Sequence, residues 1–273
     1  MQPPLFGAFA IAVYLIVTAI IAQSLLADYI AQAPAPIRNL SIIALGWLGV
    51  ALHALSLSDI CDRAGHVDFN FYTTSSLAGL FMVSVLLLTS LTRPAEKLGL
   101  VIYPLASLLI LIEINLHEPA RALKAYTWQL SSHILVSMLS YSFLNIAALQ
   151  EVLVAFQDQH LRCHNPSGII RSLPPLQTME KLLFHLIGVG FLLLSISLIS
   201  GLLFVEDLFA QHLVHKTVLS IIAWFVFGIL LTGRIWQGWR GQTAIRWTLG
   251  GFLALMLAYF GSKIVLELIL NRG

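Results

Sequence analysis

The chain has 273 residues, of which 58% are hydrophobic and only 10% charged, against about 25% charged in an ordinary soluble domain. Water is therefore not its main solvent, and apolar runs of about 20 residues, recurring from near Phe6 to near Leu270, leave no stretch for a separate soluble domain. The formal charge of +2 is spread over basic residues that fall singly between these runs, which argues against a nucleic-acid surface.

Crossing about 30 Å of hydrocarbon at about 1.5 Å per residue takes about 20 residues. Eight segments qualify, at about residues 7–26, 38–57, 71–91, 97–115, 127–151, 178–204, 213–234 and 244–269. The predicted fold is all-α: a polytopic membrane protein, a bundle of about eight transmembrane helices forming a single domain over residues 1–273. No basic region precedes the first run. The Ala31-Gln32-Ala33 that follows it comes after an apolar stretch longer than a signal-peptide core, so the first helix is expected to be retained. The longest polar stretch, about 155–177, holds His160, Arg162, Cys163, His164, Pro166, Pro174 and Pro175 and is expected to be a cytoplasmic connection. Alternate loops divide the 15 basic residues nine to six, and the richer set, which includes Arg93, Arg162, Arg234 and Arg240, reads as cytoplasmic. Both termini then face outward. Cys61 and Cys163 fall on opposite sides, against an internal disulfide.

Ionisable groups inside a bilayer are costly and so are candidate functional groups. Four of the nine histidines fall within predicted spans: His53, His133, His185 and His215. In this topology His53, His133 and His215 approach the outer leaflet from three helices, while His185 lies about two turns in from the cytoplasmic side. Such imidazoles either bond neighbouring helices as packing contacts or act as ligands, because neutral imidazole binds metals and paired histidines hold haem iron between facing helices. Ser137 and Tyr141 extend from His133 a polar stripe whose hydroxyls can bond an imidazole N–H or a propionate, Trp224 and Phe227 read as ordinary helix packing, the commoner case, or as walls for a flat apolar ligand, and Gly46 and Gly49 share a face with His53. Glu113, Lys263 and Glu267 read as charges reaching the interface. His66, His117, His160, His164 and His212 fall in predicted loops and read as surface. There is no Cys-x-x-Cys-His, Walker A, His-Glu-x-x-His or Gly-x-Ser-x-Gly pattern, so covalent c-type haem and common hydrolase or ATPase sites are unsupported.

The stretch Ser132-His133-Ile134-Leu135-Val136-Ser137-Met138-Leu139-Ser140-Tyr141 resembles a helix of the CcsA-type cytochrome c assembly superfamily that begins with a haem-associated histidine. Trp224 to Arg234, then Gly238-Trp239-Arg240-Gly241 and Ala258-Tyr259-Phe260-Gly261, are similar to the same family, as more weakly is Gly65 to Tyr72. The likeness spans about residues 65–265. The family's tryptophan-rich outward loop is missing, with only Val205 to Thr217 in its place, as are histidines expected near Thr232 and after Gly261. The pattern therefore looks closer to the HemX and YpjD branch. This resemblance implies a haem-binding, non-enzymatic protein of the bacterial inner (plasma) membrane, acting in haem handling or in regulating cytochrome assembly. It implies His133 and His215 as axial ligands to haem iron and His53 as a substitute or supporting residue, with Arg240 an interface anchor. Expected partners are the bilayer, haem, and cytochrome assembly or tetrapyrrole-pathway proteins. The alternatives are a transporter or ion-handling protein, whose outer histidines and Glu113 line a path, and a scaffold or regulator of tetrapyrrole metabolism without bound haem.

Overall fold

The computed structural model describes residues 5–31, 40–64, 71–116, 127–162, 173–204 and 214–261. Helices account for nearly all of them: α1 Leu5–Ala31, α2 Leu40–Ala64, α3 Phe71–Ser90, α4 Gly99–Asn115 after a short 3₁₀ turn at Glu96–Leu98, α5 Trp128–Arg162, α6 Leu176–Phe204, α7 Val214–Gln237 and α8 Gln242–Met256. There is no strand among the described residues. Hydrocarbon offers no partner for a free N–H or C=O, and a helix satisfies both within one segment. Seven of the helices are long and apolar enough to cross a membrane, and the chain is a polytopic all-α membrane protein. The eighth, α8, passes into a π turn at Leu257–Gly261; the rest of that predicted span, with Lys263 and Glu267, lies outside the described residues.

The spans start close to where hydropathy places them, but α5 runs far beyond its predicted end at residue 151. Its 35 residues make a rod of about 52 Å, well over the hydrocarbon thickness. Polarity ends the membrane signal without ending the helix, because Glu151, Val154 and Gln157 still pack inward. The predicted connection at 155–177 is therefore helical up to Arg162; residues 163–172 lie outside the description.

Contacts gather the chain into two compact units: residues 1–126 with 160–175, and residues 127–159 with 176–273. In unit 1, α1 packs on α2 and α4, and α3 packs on α4 and α2. Tyr14, Leu86, Ile102, Tyr103 and Ile110 fill its core. A Cβ at Gly49 would land on the Tyr14 ring of α1 and one at Gly46 on Leu87 of α3 and the Tyr103 hydroxyl of α4, so the predicted close approach is realised at both glycines, against different helices. In unit 2, α5 and α6 are joined by polar contacts described below, and α7 packs on α6 and α8.

The outer faces are apolar: Leu202, Leu203, Phe225 and Leu253 are exposed, as suits a surface solvated by lipid. Many hydroxyls inside the spans bond their own helix one turn back, as do Thr18, Ser84, Thr89 and Ser107. These are spent locally, and the ones that reach across to other helices mark the sites.

Candidate functional site

His133 lies half-buried one turn into α5, against α6. Its Nδ1 is 2.8 Å from Ser200 Oγ, and the Ser200 hydroxyl donates its single proton to the Ser197 carbonyl at 2.9 Å. Ser200 can then only accept, so Nδ1 carries the ring proton and Nε2 keeps its lone pair. The Ser197 carbonyl also bears on the ring, and Nε2 has no hydrogen bond of ordinary geometry among the described residues. The ring also needs the small residue beneath it, since a Cβ at Gly201 would stand 3.1 Å from His133 Cε1. Ser137 continues the seam through Ser197 at 2.6 Å, and Ser140 donates to the Gly190 carbonyl at 2.9 Å. The expected hydroxyl partner for the imidazole was Ser137 or Tyr141; it is Ser200. Ser197, Ser200 and Gly201 form a small polar face that was the available signal.

These contacts fix directions within unit 2. As α5 advances through 133, 137 and 140, its partners on α6 retreat through 200, 197 and 190, so the two are antiparallel. On α7, Trp224 stacks on Phe191 with ring centroids 5.5 Å apart, and Arg234 lies 4.5 Å over Phe184. α7 is thus antiparallel to α6 and parallel to α5. α5 and α7 meet where Tyr141 lies 3.5 Å from Ser220. From that contact His133 is eight residues, about 12 Å, toward the start of its helix, and His215 five residues, about 8 Å. The two approach a common level. Five residues also rotate about 140° around α7, so His215 stands on an exposed flank away from the side that meets α5. The suggested porphyrin walls are occupied by packing: Trp224 Nε1 donates to Ser195 Oγ at 2.8 Å, and the buried Phe227 ring lies against Gly251.

His53 belongs to unit 1 and is fully buried. Its Nδ1 is 3.4 Å from the Tyr14 hydroxyl and its Nε2 2.9 Å from Ser76 Oγ. In either tautomer both ring nitrogens are engaged, leaving none to offer to a metal. Close by, Glu113 is also fully buried, which overturns its reading as a charge reaching the interface. The hydroxyls of Ser76 and Thr73 bear on its carboxyl, yet neither oxygen has a hydrogen bond of ordinary geometry. A run of four buried hydroxyl residues, Thr73 to Ser76, opens α3, an unusual start for a membrane span and a signal that was available.

A second polar cluster lies toward the other end of unit 2. Arg240 Nε donates to Glu180 Oε2 at 2.9 Å, with Glu151 nearby, buried and without a hydrogen bond. Arg240 is delivered by the Gly-Trp-Arg-Gly turn. Gly238 and Gly241 take φ values of +66° and +54°, Trp239 fills the notch at Gly233, and Arg234 donates to the Trp239 carbonyl at 3.0 Å. The arginine is thus an ion-pair partner of a core carboxylate. His185 is exposed on α6. Among the described residues no three His, Cys, Asp or Glu side chains cluster as a metal-binding group.

Fold and polar seams together define a multi-pass helical membrane protein with a half-buried histidine held through its Nδ1 and with buried carboxyls. The family model described as Cytochrome C assembly protein matches residues 39–270, and the chain belongs to that family. It is 31% identical over 273 residues to Inner membrane protein YpjD of Escherichia coli strain K12, covering 97% of this chain and 99% of that one. It is 30% identical over 237 residues to an uncharacterized 28.8 kDa protein of Azospirillum brasilense, with 84% and 85% covered. To Cytochrome c biogenesis protein CcsA of Chlamydomonas reinhardtii it is 26% identical over 219 residues, with 76% and 61% covered. No solved structure matches.

Proposed function

We propose that the protein binds haem in the inner membrane through His133 and acts without chemical turnover in cytochrome c assembly or its regulation. The single observation carrying this reading is the state of that imidazole: Nδ1 is held by Ser200, and Nε2 keeps its lone pair with no hydrogen bond of ordinary geometry among the described residues. A histidine ligand characteristically gives its other N–H to an oriented acceptor, which fixes the ring and raises its basicity. Bound haem would supply a redox-active iron; the chain itself orients the imidazole and solvates the ring with apolar helix surface. Family membership and the inner-membrane relative support the location, with both termini proposed to face outward. His215 is the proposed second imidazole. From its exposed flank it reaches a shared iron only if the first turn of α7 rotates, so His133 carries the reading by itself.

The test is the absorbance spectrum of purified protein reconstituted with haem, in wild type, His133→Ala and His215→Ala. Loss of stoichiometric binding in His133→Ala is expected, and a change from a two-imidazole to a one-imidazole spectrum in His215→Ala would assign the second ligand. An unchanged spectrum in His133→Ala, with the variant folded, would refute the assignment.

A further inference from the structure

We propose that Glu113 is an intramembrane cation-binding carboxyl, taking up and releasing a proton or an alkali-metal ion inside unit 1. The inference is independent of the haem reading, since all its residues belong to α1 to α4.

Glu113 is fully buried near the end of α4, and neither of its oxygens has a hydrogen bond of ordinary geometry. Ser56 on α2 is 1% exposed, and its hydroxyl is likewise unbonded. On α1, a Cβ at Gly7 would lie 2.9 Å from Ser56 Oγ and 2.7 Å from Ile114 Cδ1, the residue after Glu113, and on α3 Gly79 faces Ala106 and Leu109 of α4. One to two turns back along α3 stand Ser76 and Thr73, whose hydroxyls bear on the carboxyl. The carboxyl thus meets hydroxyl oxygens of α3 in the interior of unit 1.

A carboxylate with hydroxyl neighbours is an oxygen donor set suited to hard cations, and an isolated carboxylate in a low-dielectric interior must be neutralised by something. Among the described side chains, the titratable groups on the packed elements are His53 on α2, which holds Ser76, Tyr14 on α1, which holds His53, Tyr72 at the start of α3, and Tyr103 on α4, whose ring packs on Tyr14. No lysine or arginine among them meets the carboxyl; Lys97 is 16 residues back, about 24 Å away. A mobile cation is the partner proposed for this carboxyl.

The experiment uses full-length protein in lipid nanodiscs and a hydrophobic carbodiimide. This reagent adds to a protonated carboxylic acid and rearranges to a stable N-acylurea with no leaving group, so the adduct can be mapped by mass spectrometry. The expected result is an adduct on Glu113, absent in Glu113→Gln, whose formation falls as the medium is made alkaline. Slowing by sodium chloride relative to choline chloride identifies the ion as an alkali metal, and indifference to sodium with retained pH dependence identifies it as a proton. Ser76→Ala should move the midpoint of that dependence. The proposal is overturned if Glu113 stays unmodified in folded protein while the same peptide reacts after denaturation in acid, or if modification ignores both pH and sodium. Mapping on wild type suffices should Glu113→Gln fail to fold.

Discussion

Removing the hydroxyl of Ser76 tests how the core of unit 1 is held together. The His53 Nε2 to Ser76 contact is 2.9 Å long and both residues are fully buried, whereas His53 Nδ1 to the Tyr14 hydroxyl is 3.4 Å, near the limit of a useful bond. Hydrogen bonds between membrane helices measured by double-mutant cycles average about 0.6 kcal/mol and reach about 1.7. Short, buried and two-sided, the Ser76 bond belongs in the upper half of that range, at about 1 kcal/mol, and the Tyr14 bond in the lower, at about 0.3. The cycle combines His53→Ala and Ser76→Ala and is read by unfolding in mixed micelles of rising denaturing-detergent fraction. His53→Ala alone should cost about 2–4 kcal/mol, because it leaves a cavity and strands a donor and an acceptor. A coupling near zero, or a larger coupling for Tyr14 than for Ser76, would show that the distances do not rank these contacts.

Ser200→Ala removes the acceptor that fixes the His133 ring, and haem affinity should drop about 10- to 100-fold in a haem titration, while Ser195→Ala leaves it within about threefold. Arg240→Ala strips the partner from Glu180, whose side chain is 10% exposed against 54% for the arginine. With one end in solvent the loss should be about 1–2 kcal/mol, between surface and buried pairs; Arg240→Lys, unable to present the same Nε–H, should recover only part in the same unfolding assay. Alkaline phosphatase fused at the C-terminus should be active and a cytoplasm-dependent fluorescent protein fused there dark, as outward termini require; the opposite pattern reverses the topology.

Hydropathy made the membrane spans legible because an all-helical bilayer protein has to spend about 20 apolar residues on each crossing. It was silent on where helices stop, which is why α5 outran its apolar segment: Gln150, Glu151 and Gln157 are polar by composition yet buried. His133 was legible as a lone imidazole on a span, but its partner was not, since pairing with Ser200 depends on the relative register of α5 and α6. Glu113 misled for a related reason. A carboxylate near the end of a span has the same sequence whether it turns to the headgroups or to the interior, and only the neighbouring hydroxyls of α3 distinguish the two. Trp224 and Phe227 follow the ordinary reading of an aromatic stripe in a membrane helix, wedging helices together where a ligand wall was the alternative.

What separates structure from function among these polar groups is their unused bonding capacity. An imidazole has two nitrogens: His53 commits both to Tyr14 and Ser76, so it is a cross-link between α1, α2 and α3, and adding a metal would break what it holds. His133 commits one to Ser200 and leaves the other, so a ligand can be added without dismantling the seam with α6. The same count applied to carboxylates distinguishes Glu180, which accepts from Arg240, from Glu113 and Glu151, whose oxygens have no hydrogen bond of ordinary geometry. Where backbone groups must all be satisfied internally, an unsatisfied buried side chain is expensive to keep, and its retention points to something that occupies it part of the time. The Nε2 of His133 and the carboxyl of Glu113 sit in different units and contact different helices. Replacing one therefore leaves the contacts of the other untouched, and haem loading and carbodiimide reactivity should be lost separately.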